Sequence, residues 1–259
     1  MKVSANLSLL FTELPLIERI GAAAEAGFDG VEIQFPYELP AGELKAALDQ
    51  AGLPLVLINL PAGDLMQGGA GLAAVPAQQD AFDAALRHAY TYAALVQPQC
   101  VNVLPGRLAN GVSRPEALAT LVANLRKAAD TFHPLGIQVL AEAINPFDMP
   151  GFLINTPEQL LELVRSVESP NFAAQLDLYH LARQQLDPVA AIRLLGDAIG
   201  HVQFADHPGR GAPGSGELDF APALAALAEV GYAGWLGAEY RPGGPTRDGL
   251  DWLPRFKAA

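Results

Sequence analysis

Short runs of apolar, mostly β-favouring residues recur along the chain at a nearly constant interval. They are Val3 to Leu7, Gly30 to Phe35, Leu55 to Leu60, Cys100 to Leu104, Gln138 to Ala143, Phe172 to Leu178, His201 to Ala205 and Trp235 to Tyr240. Between them lie stretches whose apolar residues fall at helical spacing: Leu14 to Ala26, Ala41 to Ala51, Asp80 to Val96, Arg114 to Phe132, Thr156 to Val167, Val189 to Leu195 and Ala221 to Val230. Strand therefore alternates with helix throughout. The first and last runs start about 230 residues apart over seven intervals, about 33 residues each, a length that suits one βα unit.

The punctuation agrees with this period. Ser113-Arg114-Pro115-Glu116 and Thr156-Pro157-Glu158 both read as a capping hydroxyl, a proline and an acid in the first helical turn. Gly27, Gly52, Gly136 and Gly231 each stand between the end of a helical stretch and the next apolar run. Eight alternations predict an α/β chain folded as a single (β/α)8 barrel, with residues 1–259 as one domain. A doubly wound open sheet normally carries a glycine-rich turn after its first strand, and here that turn reads Asn6-Leu7-Ser8-Leu9-Leu10. Two glycine-rich loops, Pro61 to Ala77 and Asp206 to Leu218, follow the C-terminal ends of strands and are candidate lids.

Composition narrows the class. The chain of 259 residues is 51% hydrophobic and 17% charged, too apolar for disorder. Its net charge of −12 and its four lysines (Lys2, Lys45, Lys127 and Lys257) argue against a surface for nucleic acid or anionic membrane. Acidity does not oppose a divalent cation, which prefers carboxylates. A lone cysteine, Cys100, excludes an internal disulfide and thiolate zinc sites, and it lacks the basic neighbour a reactive thiolate needs. The N-terminus has no signal-peptide pattern and the chain has no membrane-length apolar run, so a cytoplasmic protein is expected.

Chemistry enters with polar residues set in apolar strands. A parallel strand covered on both faces reads as continuous hydrophobe, so a carboxylate within one must be solvated, paired or bound to a cation. Glu142, Asp177, Gln203 and Glu239 lie on runs five to eight, 35, 26 and 36 residues apart, close to one βα unit each. All four can project from one rim of a barrel. Three carboxylates and an amide oxygen there suit Mg²⁺ or Mn²⁺. Asn59 and Asn102 end runs three and four, where an amide holds a substrate hydroxyl or closes a turn. His180 is placed to donate to a substrate oxygen, and Arg210, on the loop after Gln203, is the nearest obvious partner for a substrate carboxylate. Glu32 reads as a buried structural acid or a group behind the site. His88, His133 and His201 read as residues without chemistry. No strand ends in lysine, which counts against a Schiff-base aldolase.

At these residues the chain resembles the hydroxypyruvate isomerase family, within the xylose-isomerase-like group of barrels. The resemblance rests on VSANLSLLF, GFDGVEIQFPYE, INLPAGD, LAEAINPFDMPGF, QLDLYHLAR, GHVQFADHPGRGAPGSGE and GWLGAEYRP, in order from residue 3 to 242. It implies a divalent metal on Glu142, Asp177, Gln203 and Glu239, with Glu142 and Glu239 also moving protons. It implies that a small hydroxy-keto acid is isomerised through a cis-enediolate, and it leaves room for a homo-oligomer. Related ketose 3-epimerases carry His where this chain has Gln203, which favours an isomerase. The family's common HNLPAGD has Ile58 in place of its His here, which removes any contact made by that imidazole. Isomerases of 2-oxo-tetronates belong to the same group. The alternatives of another class are a metal-dependent endonuclease and a barrel that binds a sugar acid without turnover.

Overall fold

Eight parallel strands close on themselves in sequence order, each hydrogen-bonded to the next and the last to the first. The computed structural model describes residues 1–258. The strands are β1 (Lys2–Asn6), β2 (Gly30–Ile33), β3 (Leu55–Asn59), β4 (Cys100–Asn102), β5 (Gln138–Glu142), β6 (Phe172–Asp177), β7 (Ile199–Phe204) and β8 (Trp235–Ala238). The helices are α1 (Leu16–Glu25), α2 (Ala41–Ala51), α3 (Gln79–Val96), α4 (Arg114–Phe132), α5 (Pro157–Val167), α6 (Leu178–Arg183), α7 (Pro188–Leu195), α8 (Phe220–Glu229) and α9 (Leu253–Ala258). This is the expected (β/α)8 barrel. The capping expected at Ser113 and Thr156 is present: each side chain accepts the backbone N–H three residues on, from Glu116 and Gln159.

Alternation along the strands sorts the side chains into two layers, because successive residues point to opposite faces. One set, including Val3, Val31, Ile58, Val101, Val139, Leu176, Val202 and Leu236, joins the helices in the main core. The other set fills the barrel. Near the strand starts it is apolar, with Leu57, Cys100, Leu140, Ala173 and Trp235 in a separate cluster that Val56 joins, because the register between β2 and β3 shifts by one residue there. One layer higher it turns polar: Ser4, Glu32, Asn102, Glu142, Gln175 and Gln203 are all buried. The functional face therefore begins inside the barrel, where β3 to β6 trade an apolar residue for a polar one two positions on: Leu57 for Asn59, Cys100 for Asn102, Leu140 for Glu142 and Ala173 for Gln175.

Gly237 serves this switch. A Cβ there would lie 2.2 Å from Glu32 Oε1, so the glycine is the space that the Glu32 carboxylate occupies.

The structure differs from the expected elements at two helices. The residues after Asp177 turn at once into α6, because the Asp177 side chain accepts the Tyr179 N–H at 2.9 Å and caps that helix. Six residues are too few to show helical spacing. The C-terminal α9 had no periodic signal either, and its Phe256, with Trp252 before it, packs against Phe204 at centroid distances of 4.7 and 5.2 Å. Among the described residues no helix is long and apolar enough to cross a membrane.

Candidate active site

A cavity of about 630 Å³ opens at the C-terminal end of the barrel. Strand ends line it with Glu142, Gln175, Gln203 and Glu239, and the segments after them add Gln34, Asn59, His180, Arg183, Arg210 and Arg241. Strand register places the candidates side by side, with Glu142 opposite Gln175 and Asp177 opposite Gln203. Glu239 is the first residue past β8.

Two of the three carboxylates, Asp177 and Glu239, share one cation. Arg210 donates to Glu239 Oε2, and the same nitrogen stands 3.5 Å from Asp177 Oδ2. Its guanidinium also lies 4.9 Å from the Tyr179 ring centre. Glu239 Oε1 accepts from Gln34 at 2.7 Å and Asn6 at 3.1 Å. Glu142 has no cation in contact; it accepts from Asn102 Nδ2 at 3.0 Å and Gln175 Nε2 at 3.1 Å. Burial, then the charges of Glu239 and Asp177, push the Glu142 carboxyl up to about 8, against the Asn102 hydrogen bond and Arg210. Asp177 and Glu239 are also raised, by burial first, with Arg210 the strongest influence in the other direction.

A buried chain of hydrogen bonds runs behind these residues. Gln175 Nε2 donates to Gln203 Oε1 at 2.6 Å, and Gln203 Nε2 donates to Glu32 Oε2 at 2.8 Å. Glu32 Oε1 takes the Ser4 hydroxyl at 2.6 Å and His201 Nε2 at 2.8 Å. Burial alone would raise the Glu32 carboxyl, but His201 and the hydrogen bonds from His201, Ser4 and Gln203 outweigh it and hold the group below its ordinary range. Glu32 is thus the buried acid behind the site, and His201, read as a residue without chemistry, is its partner.

His180 is fixed by a residue the sequence reading passed over. Asn145 Oδ1 accepts the backbone N–H groups of Phe147 and Asp148 at 3.0 and 2.8 Å, so its Nδ2 is the end that meets His180 Nδ1 at 2.7 Å. An amide N–H facing Nδ1 makes that nitrogen the acceptor and leaves the proton on Nε2. Burial, then Arg210, pulls the imidazole down to about 3, so it is neutral. Its Nε2–H lies 3.5 Å from Asp177 Oδ2, too long to hold it away from a substrate oxygen. The available signal was Asn145-Pro146-Phe147, a side chain poised to cap its own turn.

The remaining candidates separate. Asn59 lines the cavity and accepts from Asn102 Nδ2 at 3.2 Å. Asn102 itself is fully buried and is not on the cavity wall; its amide is aimed at Glu142 and Asn59 rather than at a substrate hydroxyl. Position 58 points away from the cavity, since Ile58 is buried in the core between strands and helices. The departure from the family pattern there leaves the cavity wall untouched. The Asp206 to Leu218 loop is built on the Asp206 carboxylate, which accepts the N–H groups of His207, Gly214, Gly216 and Leu218 at 2.7–2.9 Å. The Pro61 to Ala77 loop is pinned by Arg107, which donates to the Leu65 and Gly69 carbonyls, and it reaches the cavity through Met66.

The donors around the cavity suit a divalent cation. Three carboxylates and one guanidinium leave two negative charges at the site if all are ionised, which a divalent cation would balance. Two buried oxygens beside Glu142, Asn102 Oδ1 and Gln175 Oε1, have no hydrogen-bond partner. All donors are hard oxygens. The set therefore fits Mg²⁺ or Mn²⁺ in charge and chemistry. Among the described residues no three His, Cys, Asp or Glu side chains form a ready-made cluster, because Arg210 stands between Asp177 and Glu239.

Fold and site together define a (β/α)8 enzyme with paired carboxyl groups at its C-terminal face. Residues 20–256 match the family model described as xylose isomerase-like TIM barrel, and the chain belongs to that family. It is 38% identical to the hydroxypyruvate isomerase of Escherichia coli, over 99% of this chain and all of that protein. It is 37% identical to the 2-oxo-tetronate isomerase of Haemophilus influenzae, over 99% of each. Among solved structures it is similar to a chain described as AP endonuclease, family 2, from Brucella melitensis, at 39% identity and a TM-score of 0.94, covering 98% of this chain and 99% of that one. Full-length relatives named as isomerases place the chain among enzymes of the aldose–ketose isomerase type.

Proposed function

We propose that this enzyme interconverts hydroxypyruvate and 2-hydroxy-3-oxopropanoate (tartronate semialdehyde). The observation that carries the reading is the pair Glu142 and Glu239, two buried carboxyl groups on one small cavity, close enough for the charge of one to raise the other. Moving a carbonyl by one carbon needs a base at C3, an acid at C2, and transfer of the hydroxyl proton from the C3 oxygen to the C2 oxygen. The environments of the pair differ as those tasks require. Glu239, whose bonds from Arg210, Gln34 and Asn6 oppose the effect of its burial, takes the C3 proton. Glu142, with neutral donors only, is the group that gives a proton to C2, and without a bound ion its raised carboxyl already carries one. His180 offers its Nε2–H to the substrate oxygen that gains negative charge in the enediolate, and as a neutral donor it does not surrender that proton outright.

Glu142, Asp177, Gln203 and Glu239 are the residues that would hold Mg²⁺ or Mn²⁺. Such an ion, when bound, acidifies the C–H next to the carbonyl and stabilises the enediolate. Placement in the cytoplasm and absence of a nucleic-acid partner complete the proposal. A net charge of −12 with only four lysines supports the latter.

The second reading is isomerisation of a 2-oxo-tetronate. It is favoured by the full-length similarity to 2-oxo-tetronate isomerases and by a cavity of about 630 Å³, ample for a fourth carbon. The test is an activity panel by NMR, with Mg²⁺ and with Mn²⁺, over hydroxypyruvate, 2-oxo-tetronates and free ketoses. Turnover of a keto acid is expected. Reaction of the ketoses alone would replace the reading with a ketose epimerase or sugar isomerase.

A further inference from the structure

Three arginines line the cavity, and two of them already have partners. Arg210 is held by Glu239 and Asp177. Arg183 stands 3.5 Å from Asp148 and lies over the Phe147 ring at 5.1 Å. Arg241 lines the same cavity with its side chain exposed, and among the described residues that side chain forms no hydrogen bond and no ion pair. Its backbone is nonetheless fixed: the Arg241 N–H donates to the Arg210 carbonyl at 2.7 Å, which ties the end of β8 to the Asp206 to Leu218 loop. A placed backbone with an uncommitted guanidinium, two residues past Glu239, is suited to receive an anion from the cavity.

We infer that Arg241 binds the carboxylate of the substrate and sets the preference for keto acids over neutral ketoses. This rests on the reading of the site as one that isomerises a keto acid, and it moves the carboxylate partner from Arg210, the residue the sequence suggested, to Arg241. Charge decides between the two. Arg210 is buried against carboxylates that an arriving anion would have to displace or lie beside, whereas Arg241 offers a planar fork of donors with no competing acid bonded to it. In a chain of net charge −12, Arg241 is the cavity guanidinium not already set against a carboxylate, and it gives an arriving anion a partner there. A neutral ketose has no group that needs this contact.

The experiment compares wild type, R241Q and R241K, using two readouts. The first is calorimetric binding of tartronate, an unreactive dicarboxylate, with circular dichroism as the check on folding. The second is the ratio of kcat/KM for hydroxypyruvate to that for dihydroxyacetone, which replaces the carboxylate by a hydroxymethyl group. In R241Q the tartronate Kd rises about tenfold or more and the ratio falls by a similar factor, through KM; R241K, which keeps charge but loses the fork, lies between. Tartronate binding equally well to folded R241Q, or not at all to wild type, overturns the inference. If wild type converts no keto acid while tartronate binding still depends on Arg241, the isomerase reading fails and this one stands. If wild type isomerises hydroxypyruvate and R241Q keeps both the ratio and tartronate affinity, the reverse holds.

Discussion

Gln203 Nε2 donates to Glu32 Oε2 at 2.8 Å, across the barrel from β7 to β2. Because a carboxylate only accepts, the amide of Gln203 has one orientation: nitrogen toward Glu32, oxygen toward Gln175 and the cavity. A residue that could present either end is thereby made an oxygen donor for the site. The acid that imposes this is itself held by Ser4 and His201.

E32Q is expected to destabilise the fold, by about 3 kcal/mol or more, since it removes the charge that buried His201, Ser4 and Gln203 face. G237A acts on the same contact through space, because its Cβ would collide with Glu32 Oε1. Urea denaturation of both variants and of H201Q, with the E32Q/H201Q double variant to close the cycle, measures the coupling. Additive effects of the two single changes would contradict the pairing.

Glu142 and Glu239 are expected to be separable from the fold. E142Q and E239Q each lose turnover by about a thousandfold or more. E142Q without metal is expected to be no less stable than wild type at pH 8, because the amide removes a carboxylate that burial and its neighbours disfavour. Kinetics and thermal melts check both statements. Activity retained in both variants would remove the pair from the mechanism.

The architecture was legible in the chain because strand and helix differ in period, and eight alternations leave few topologies. So was the rim: Glu142, Asp177, Gln203 and Glu239 stand out as polar residues in apolar runs. What each side chain touches was not legible. Arg210 sits 33 residues from Asp177 and 29 from Glu239, so no local pattern announces that one guanidinium serves both. Asn102 and Asn59 look alike at the ends of successive strands, yet one faces the cavity and the other lies beneath it. Glu32 and His201 are 169 residues apart, and only closure of the barrel makes them a pair.

Metal binding should depend on pH in a stated direction. The Glu142 carboxyl of the metal-free fold is pushed up to about 8 from an ordinary 4.5. Between those values the folded chain keeps a proton that the unfolded chain has released, so this group makes the metal-free protein less stable as pH rises through that window. A divalent cation competes with that proton. The rise in Tm on adding Mn²⁺ or Mg²⁺ is therefore expected to be larger at pH 8 than at pH 6. A shift that is equal at both, or greater at pH 6, would mean that Glu142 is not among the ligands.

N145A tests whether the tautomer of His180 matters to the chemistry. In wild type the Asn145 amide faces Nδ1, and Nε2 carries the proton presented to the cavity. Removing the amide frees Nδ1 to hold the proton instead, which turns the cavity-facing nitrogen from donor to acceptor. A donor lost at the enediolate oxygen lowers kcat by about tenfold to a hundredfold, and an acceptor in its place repels the same charge. Asn145 also caps the turn at Phe147 and Asp148, so a loss of activity alone would not distinguish the two roles. Nitrogen-15 NMR of the imidazole does: the Nε2–H form is expected in wild type and a mixture or the Nδ1–H form in N145A. An unchanged tautomer with lowered kcat would assign Asn145 to the turn and leave the orientation of His180 to Asp177.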